Sequence, residues 1–333
     1  MKKTDKVLLG VLAIAIIVSG TIFLKSRKLA VQEAKNNKVK IAYLASSAQA
    51  LPLFLAINKG YFSQTGLEVE PVKFEAPNQI IDALISGNVD FGSPSTAMGI
   101  TAISQAKNPN TLKIFALNGG TEPNNIDNVL LVKNDSAISK INDLQGKKLG
   151  ILPGIQFRTI AQHILTTEGL AMDKDVTIVE LAIPLQLQAL MTGQVDAVLT
   201  LEPVKTIGKS QNVVKDLVLA PMDKYIADPW YGGGGVVSVK FAQANPNATK
   251  KIISVFNKAT KEINSNPDAA RQYLKSYTPL NDEQIKVMPL PIWKMYTDFT
   301  ESDISALQKF FDIFAQYKVI DNKVDARKMI YAN

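Results

Sequence analysis

The chain carries one short motif twice. Residues 83–90 read Ala-Leu-Ile-Ser-Gly-Asn-Val-Asp and residues 189–196 read Ala-Leu-Met-Thr-Gly-Gln-Val-Asp, identical at five of eight positions. Weaker matches precede each copy, since residues 40–44 resemble 148–152 and residues 58–61 resemble 167–170. Solenoid proteins repeat with periods of roughly 20–50 residues. This much longer repeat therefore predicts two α/β lobes of similar design, with a ligand cleft between them.

The order of the expected secondary structure supports this division. Strands alternate with helices, which predicts parallel strands joined by helical crossovers. The expected strands cover residues 39–44, 67–72, 89–92, 113–117, 128–133, 148–152, 176–180, 196–199 and 236–239. The expected helices cover residues 51–60, 78–87, 156–168, 184–192, 247–264, 267–276, 282–287 and 302–316, and a further helix opens at Ser93-Pro94-Ser95-Thr96. The aromatic residues of the last helix are expected in the core.

The second copy of the motif lies inside the chain rather than at its end. We therefore predict a first lobe built from residues 39–128 and 237–333, and a second lobe built from residues 129–236. The chain then crosses between the lobes twice. The run Gly232–Gly235 lacks the Lys-Ser/Thr of a phosphate loop and is predicted to let the chain bend at the second crossing.

Residues 1–30 form a separate unit. An uncharged run from Val7 to Leu24 is flanked by basic residues on both sides. Its length is close to the ~20 residues that span a bilayer as a helix. We expect a membrane anchor, with a cleaved signal segment as the main alternative and a soluble helix as a third. The polar residues 31–38 read as a tether, and the absence of cysteine excludes lipoprotein attachment.

Composition excludes several other classes of protein. The net charge is +7, but residues 1–30 contribute +5, so the remainder lacks the concentrated basic face of a nucleic-acid binder. There is no cysteine and only one histidine, His163, which excludes thiolate nucleophiles and most metal centres. We expect no catalytic residue set, no metal and no cofactor, and a structural role for His163.

Several segments, in order, resemble one family of proteins. They are residues 56–62 (Ala-Ile-Asn-Lys-Gly-Tyr-Phe), 66–69 (Gly-Leu-Glu-Val), the two motif copies, 143–150 (Asp-Leu-Gln-Gly-Lys-Lys-Leu-Gly) and the pair Glu202-Pro203. Together they resemble the periplasmic-type solute-binding proteins of ABC importers, in the nitrate, sulfonate and taurine group that also includes thiamine-pyrimidine binders. The lipobox cysteine or clear cleavage site that is usual in that family is missing here.

The resemblance implies a two-lobed, type II periplasmic-binding-protein-like α/β fold with two hinge crossings, preceded here by a hydrophobic helix. It implies an extracytoplasmic, monomeric protein that binds a small-molecule solute and delivers it to an ABC permease. The N-terminal helix would then hold it at the membrane.

Ten residues are candidates for contact with the solute. Amides and hydroxyls at helix starts hold anions, and the resemblance implies that both such loops face the cleft. Residues that follow strand ends lie where open α/β sheets bind ligands. An arginine can clamp a carboxylate or sulfonate, and a carboxylate can pair with an amine. An aromatic ring can stack on a solute. The candidates are Gln49, Ser93, Ser95, Thr96, Asn118, Gly154, Gln156, Arg158, Glu202 and Trp230.

Each candidate also has a purely structural interpretation. The helix-start residues cap helices, and Arg158 lies exposed on a helix surface. Glu202 is a carboxylate at a helix N-terminus, where the helix dipole favours it, and Trp230 packs at the rim of a lobe. The solute therefore stays open between a sulfonate, a nitrate-like anion and an aminopyrimidine, with a lean towards a small organic solute.

Two other functions remain as alternatives. One is an enzyme on the same fold, in thiamine-pyrimidine or menaquinone synthesis, although the resemblance to pyrimidine synthases implies a cysteine-rich motif that this chain lacks. The other is an anchored ligand sensor, although only residues 1–6 precede the hydrophobic run.

Overall fold

The computed structural model describes residues 38–120 and 125–332. The hydrophobic run 7–24, and the tether 31–38 apart from Lys38, lie outside these residues. Within the described ranges, no helix combines the length and the apolar character that crossing a membrane requires.

Six strands form the first sheet, in the order β11-β4-β10-β3-β1-β2. Strand β1 runs parallel to β2 and β3, while β10 is antiparallel to β3 and β4, and β11 is antiparallel to β4. The strands are β1 (Lys38–Leu44), β2 (Glu68–Phe74), β3 (Phe91–Ala97), β4 (Leu112–Gly119), β10 (Gly233–Ser238) and β11 (Ile292–Met295).

Five strands form the second sheet, in the order β7-β6-β8-β5-β9. Strand β6 runs parallel to β7 and β8, and β5 is antiparallel to β8 and β9. This repeats the arrangement of β2, β1, β3 and β10 in the first sheet. The strands are β5 (Asn128–Lys133), β6 (Lys148–Ile151), β7 (Thr177–Glu180), β8 (Ala197–Leu201) and β9 (Val214–Leu219).

Helices connect and cover the strands of both sheets. Those preceding β10 are α1 (Leu51–Asn58), α2 (Pro77–Ser86), α3 (Met98–Lys107), α4 (Ile155–Thr167), α5 (Ile183–Met191), α6 (Val204–Ser210) and α7 (Pro221–Tyr225). Those following it are α8 (Val239–Ala244), α9 (Pro246–Ser265), α10 (Pro267–Ala270), α11 (Asp282–Val287), α12 (Glu301–Gln316) and α13 (Ala326–Met329). The two α/β units expected from the sequence are present.

The repeated motif builds the same turn in both sheets. Its alanine and leucine are buried on α2 in one copy and on α5 in the other. Its glycine, Gly87 or Gly193, has a φ of 76°, a left-handed conformation that glycine adopts without steric cost. The valine that follows is buried in both copies. Each copy therefore ends a helix and returns the chain to the core.

The aspartate of each motif then attaches the chain to the first strand of the parallel group in its sheet, β1 or β6, which lies between two parallel neighbours. The carboxylate of Asp90 accepts a hydrogen bond from the Lys40 backbone N–H of β1 at 2.9 Å. The carboxylate of Asp196 accepts the equivalent bond from the Lys148 N–H of β6 at 2.8 Å. This shared geometry explains why the same residue stands in both copies.

The structure corrects the helix expected to open at residues 93–96. These residues lie in strand β3, and α3 begins only at Met98. Strand β3 lies between β1 and β10 in the sheet, and all its residues are buried. The sheet pairing overrides the local preference of Ser and Pro for a helix start.

Three of the four glycines in the run Gly232–Gly235 lie in a strand. Gly233 and the residues after it form β10, which joins the first sheet there, whereas the predicted return of the chain lay at residue 237. A Cβ atom on Gly234 would lie only 2.5 Å from the carbonyl oxygen of Ala116. The glycines are therefore required by close packing between β10 and its neighbours.

Helix α12 packs against both units. It contacts α3, which follows β3, and α4, which follows β6. Phe310, Phe311 and Phe314 are fully buried, as expected from their helical spacing. The ring of Phe314 fills the space beside Gly99, where no side chain would fit.

Candidate ligand-binding cleft

Polar residues converge where the parallel strands of the two sheets end. Gln49 follows β1, Asn118 lies near the end of β4, Gln156 lies in the first turn of α4, and Glu202 follows β8. All four are at most 5% exposed. The carboxyl ends of parallel strands are where open α/β sheets bind ligands. These residues define the candidate cleft.

The hydroxyl groups of β3 are engaged in holding the first sheet together. Ser95 Oγ accepts a hydrogen bond from the Leu44 N–H at 2.9 Å and lies 2.8 Å from Ser93 Oγ. Thr96 Oγ1 donates to the carbonyl of Ser93 at 2.8 Å. These three predicted contacts thus position the ends of β1 and β3.

Two side-chain amides meet over Gly233. Asn118 Nδ2 donates to the Pro94 carbonyl at 2.5 Å. A Cβ atom on Gly233 would lie 2.6 Å from Gln49 Oε1 and 2.8 Å from Asn118 Nδ2. The backbone of Gln49 is held in turn by Trp293, whose indole N–H donates to its carbonyl at 3.1 Å. The structure therefore brings Gln49 and Asn118 together.

Gln156 connects the second unit to the first. Its Oε1 accepts a hydrogen bond from the Gly99 N–H at 2.7 Å, and its Nε2 donates to the Gly232 carbonyl at 3.3 Å. The neighbouring Met98 N–H also donates to the Gly232 carbonyl, at 3.0 Å. The first amides of α3 are thus occupied by protein groups.

Gly154 and Arg158 face carboxylates of their own unit. The Gly154 N–H donates to Glu180 Oε2 at 3.1 Å. Arg158 forms an ion pair with Asp173 at 2.6 Å and contacts Glu180 at 3.6 Å. Its side chain is 34% exposed, and the structure does not pair it with the amides described above.

Sequence reasoning missed Asp127, which lies beside Glu202. The Glu202 N–H donates to the Asp127 carbonyl at 2.7 Å, because β5 and β8 are antiparallel and these residues border them. Gln49 Nε2 donates to Asp127 Oδ2 at 2.7 Å. We call Asp127 and Glu202 the acid pair.

The acid pair is buried and incompletely compensated. Glu202 Oε2 accepts a hydrogen bond from the Thr206 N–H at 3.0 Å, whereas Oε1 receives none from the described residues. Lys205 Nζ lies 3.5 Å from that oxygen, at ion-pair distance but outside hydrogen-bond geometry. Burial raises the pKa of Asp127 to about 6, against an opposing hydrogen bond from Gln49, and the charge of Glu202 adds to the rise. Burial likewise raises the pKa of Glu202, while Lys205 opposes that rise.

Trp230 lies at the passage from the second unit into β10. Its ring makes an edge contact with Phe310 at 5.6 Å between centroids. Its backbone N–H donates to Asp223 Oδ1 at 2.9 Å, and burial raises the pKa of Asp223 to about 6. The indole N–H is buried and bonds to no group in the described part of the chain.

His163 lies away from these groups. Its ring nitrogens contact the Tyr317 hydroxyl at 3.3 Å and the Tyr225 carbonyl at 3.0 Å, which is the structural role expected for it. Across residues 38–120 and 125–332, no three His, Asp or Glu side chains are grouped to hold a metal ion.

Solved structures share this architecture. The chain superimposes on the alkanesulfonate-binding protein SsuA from Xanthomonas axonopodis pv. citri, solved with bound MOPS, with a TM-score of 0.71. The match covers 89% of this chain and 98% of that one at 19% identity, and it shows the shared fold.

Curated relatives span both binding proteins and enzymes. The chain is 24% identical to a putative aliphatic sulfonates-binding protein of Bacillus subtilis, over 84% of this chain and 82% of that protein. It is 28% identical to a 4-amino-5-hydroxymethyl-2-methylpyrimidine phosphate synthase of Aspergillus parasiticus, over 69% and 67% of the two chains. The family described as "NMT1/THI5 like" matches residues 47–270, which is most of the chain. This protein therefore belongs to the NMT1/THI5-like family.

Proposed function

We propose that this protein is the extracytoplasmic solute-binding component of an ABC importer. It holds a small organic or anionic solute between two lobes and delivers it to the permease. The observation that carries the proposal is the convergence of buried polar side chains from both α/β units, in a chain that is similar over most of its length to a putative aliphatic sulfonates-binding protein.

A hydrogen bond across the cleft supports a closing motion. Gln156, on α4 of the second unit, accepts a hydrogen bond from the Gly99 N–H of the first unit. Polar side chains that bridge two units can exchange such partners for a solute when the units separate. We propose that the lobes follow the bounds expected from the sequence, residues 39–128 with 237–333 and residues 129–236, except that the whole of β10 belongs to the first lobe because it pairs with β3 and β4. We further propose that all ten candidate residues contact the solute or shape its site.

Attachment and assembly are part of the same proposal. We propose that residues 7–24 tether the protein to the cell membrane, that the folded body is monomeric, and that it works with the membrane subunits of the importer. A hydrophobic run of this length between basic residues supports the tether.

A thermal-shift screen of the full-length chain tests the binding function. The panel contains taurine, alkyl- and arylsulfonates, nitrate and aminopyrimidines. A solute at 100 times its dissociation constant stabilises the fold by about 2.7 kcal/mol. We expect at least one such shift, and we expect Asn118→Ala and Gln156→Ala each to reduce it because the two residues lie in different units.

The matched control is Gln272→Ala, which removes an exposed amide outside the cleft. Equal loss of binding in this control would show that the cleft variants act through general destabilisation. Absence of any shift, together with no solute retained in the denatured protein by mass spectrometry, would contradict the binding function.

The alternative is an enzyme of pyrimidine synthesis on the same fold. It is favoured by one observation, the similarity to the Aspergillus parasiticus synthase. The complete absence of cysteine and the position of His163 outside the cleft favour binding instead. Conversion of a bound solute during incubation, followed by chromatography, would establish the enzyme.

A further inference from the structure

We propose that the acid pair selects a solute that carries a positively charged nitrogen group with several N–H donors, such as an amine, an amidine or a protonated aminoheterocycle. This inference rests on the proposed function and names the chemical class of its solute. The acid pair, Asp127 and Glu202, would bind the charged nitrogen directly.

The first argument is the balance of buried charge. In the described ranges, the fully buried charged side chains are Asp127, Glu202 and Asp303, and all are acidic. Asp303 is compensated by Lys294 at 2.8 Å and by a hydrogen bond from Tyr231. Among the described residues, the one cation at ion-pair distance from the acid pair is Lys205, beside Glu202, so two negative charges face one positive charge. Burying an uncompensated charge is costly, and a monocation would restore neutrality.

The second argument is an orphaned acceptor. Glu202 is 2% exposed, and its Oε1 receives no hydrogen bond from the described residues, since the nearest donor there, Lys205 Nζ, stays at an ion-pair distance of 3.5 Å. Buried polar atoms in folded proteins nearly always have a partner. A carboxylate oxygen can only accept, so the missing group is a donor. The N–H of a bound solute would supply it.

The third argument is that the main-chain amides and the arginine predicted to hold an anion already have protein partners. The Met98 and Gly99 amides of α3 donate to Gly232 and Gln156, and the Gly154 amide before α4 donates to Glu180. Arg158 pairs with Asp173 and Glu180. A sulfonate or nitrate would have to displace these partners and then lie near two buried carboxylates.

Removal of Lys205 should change the binding affinity in opposite directions for a cationic and an anionic solute. In the empty protein its ammonium group is the partial counterion of Glu202. If the solute is a cation, Lys205 competes with it, and removal of Lys205 strengthens binding. If the solute is an anion, Lys205 is the nearest cation to the acid pair and its removal weakens binding.

The experiment is isothermal titration calorimetry on the full-length chain with matched probes. The cationic probes are benzylamine, benzamidine and 4-aminopyridine, and the anionic probes are benzenesulfonate and nitrate. We expect at least one cationic probe to bind more tightly than about 1 mM, and neither anion to do so. Asp127→Asn and Glu202→Gln should each weaken that binding by about ten-fold or more.

Lys205→Gln should tighten binding of the same probe, while Glu301→Gln, an exposed carboxylate paired with Arg327, serves as the control and leaves it unchanged. Circular dichroism spectra of all variants show whether each one is folded. Because Asp127→Asn keeps the shape and the acceptor for Gln49, it separates loss of charge from loss of fold.

Two results would overturn the inference. One is binding of benzenesulfonate or nitrate that Lys205→Gln weakens, in which case the importer function stands and only the solute class is wrong. The other is failure of every cationic probe to bind below about 1 mM. If the thermal-shift panel also gave no hit, the proposed function would fail with it.

Discussion

At the scale of single residues, the acid pair has opposite effects on binding and on stability. A carboxylate buried without full compensation destabilises the folded chain, yet the same charge attracts a solute of opposite sign. Active and binding sites commonly contain such groups, since a perturbed pKa and a functional role have the same physical origin.

The pH dependence of stability follows from Asp127. Its pKa of about 6 in the folded protein lies above its ordinary value of 3.8, so the folded state binds the proton more tightly than the unfolded state does. Its contribution to stability is therefore present at low pH and is lost as the pH rises through about 6. Asp127→Asn should raise the free energy of unfolding at pH 7 by up to about 3 kcal/mol, measured by urea denaturation of the solute-free protein.

The increase in the free energy of unfolding caused by Asp127→Asn should become smaller as the pH falls to 5. The charged groups that influence the Asp127 carboxyl are Glu202, Lys205 and Asp223. Because the pKa of Asp223 is also about 6, the Asp127→Asn variant keeps part of the pH dependence of stability. Glu301→Gln should give no gain, because the pKa of Glu301 is lowered by Arg327. A variant Asp127→Asn that is less stable than the parent at pH 7 would contradict the assignment.

Arg158 shows what residue type alone can and cannot predict. Its position in the first turns of α4 was visible in the sequence, but its partners were not. Asp173 and Glu180 reach it from segments that follow the helix, and only the tertiary structure brings them together. Asp127 was missed for the same reason, because nothing in the local sequence shows that β5 pairs with β8.

At the scale of secondary-structure elements, the repeated motif provides a test of equivalence. Asp90→Ala and Asp196→Ala each remove the carboxylate that accepts a hydrogen bond from a backbone N–H, of β1 in the first sheet and of β6 in the second. We expect each to lower the free energy of unfolding by about 1–2 kcal/mol. Because the two sites lie in different sheets and share no partner, the double variant should lose the sum of the two, measured by urea denaturation.

The neighbouring exposed residues Ser86 and Thr192 occupy matched positions in the two motif copies. Replacement of each by alanine is the control and should change stability by less than about 0.5 kcal/mol. Strong departure from additivity in the double aspartate variant would mean that the two motifs are energetically coupled.

The sequence predicted some elements well and others not at all. Strands β1 and β6 and helix α12 have strong periodicity, and their residues lie close to the predicted ranges. Strands β9 and β11 were missed. Strand β11 is an edge strand of four residues, and β9 lies at the edge of its sheet and is partly exposed, so neither carries the continuous apolar run of a buried strand.

The glycine run illustrates a different limit. Four successive glycines suggested freedom to bend, because glycine is permissive in its backbone angles. In the structure, glycine is needed here because it lacks a side chain: β10 passes too close to Ala116 and Phe115 to leave room for a Cβ atom. Composition alone does not distinguish these two uses.

At the scale of the whole molecule, Gln156 is the contact most directly involved in closure. Gln156→Ala removes the hydrogen bonds to Gly99 and Gly232. We expect the solute-free variant to populate the open form more than the parent does, because each such bond contributes about 1 kcal/mol.

The absence of cysteine from the sequence allows the opening of the two units to be measured with site-specific spin labels. Cysteines introduced at the exposed positions Ser86 and Thr192, one in each unit, are then the sole sites for spin labels. Pulsed electron resonance should show a longer or broader distance distribution in Gln156→Ala. The same labels with Gln272→Ala are the control, and an unchanged distribution in Gln156→Ala would contradict a role for this residue in closure.

Helix α12 has a consequence for how the molecule responds to temperature. It packs on α3 and on α4 at once, so separation of the two units must break one of these contacts and bring water to aromatic surface near Phe314. Exposure of apolar surface raises the heat capacity, and the corresponding attraction weakens on cooling. Closure should therefore have a negative heat-capacity change, and the empty protein should open more readily in the cold than at the temperature of a growing cell.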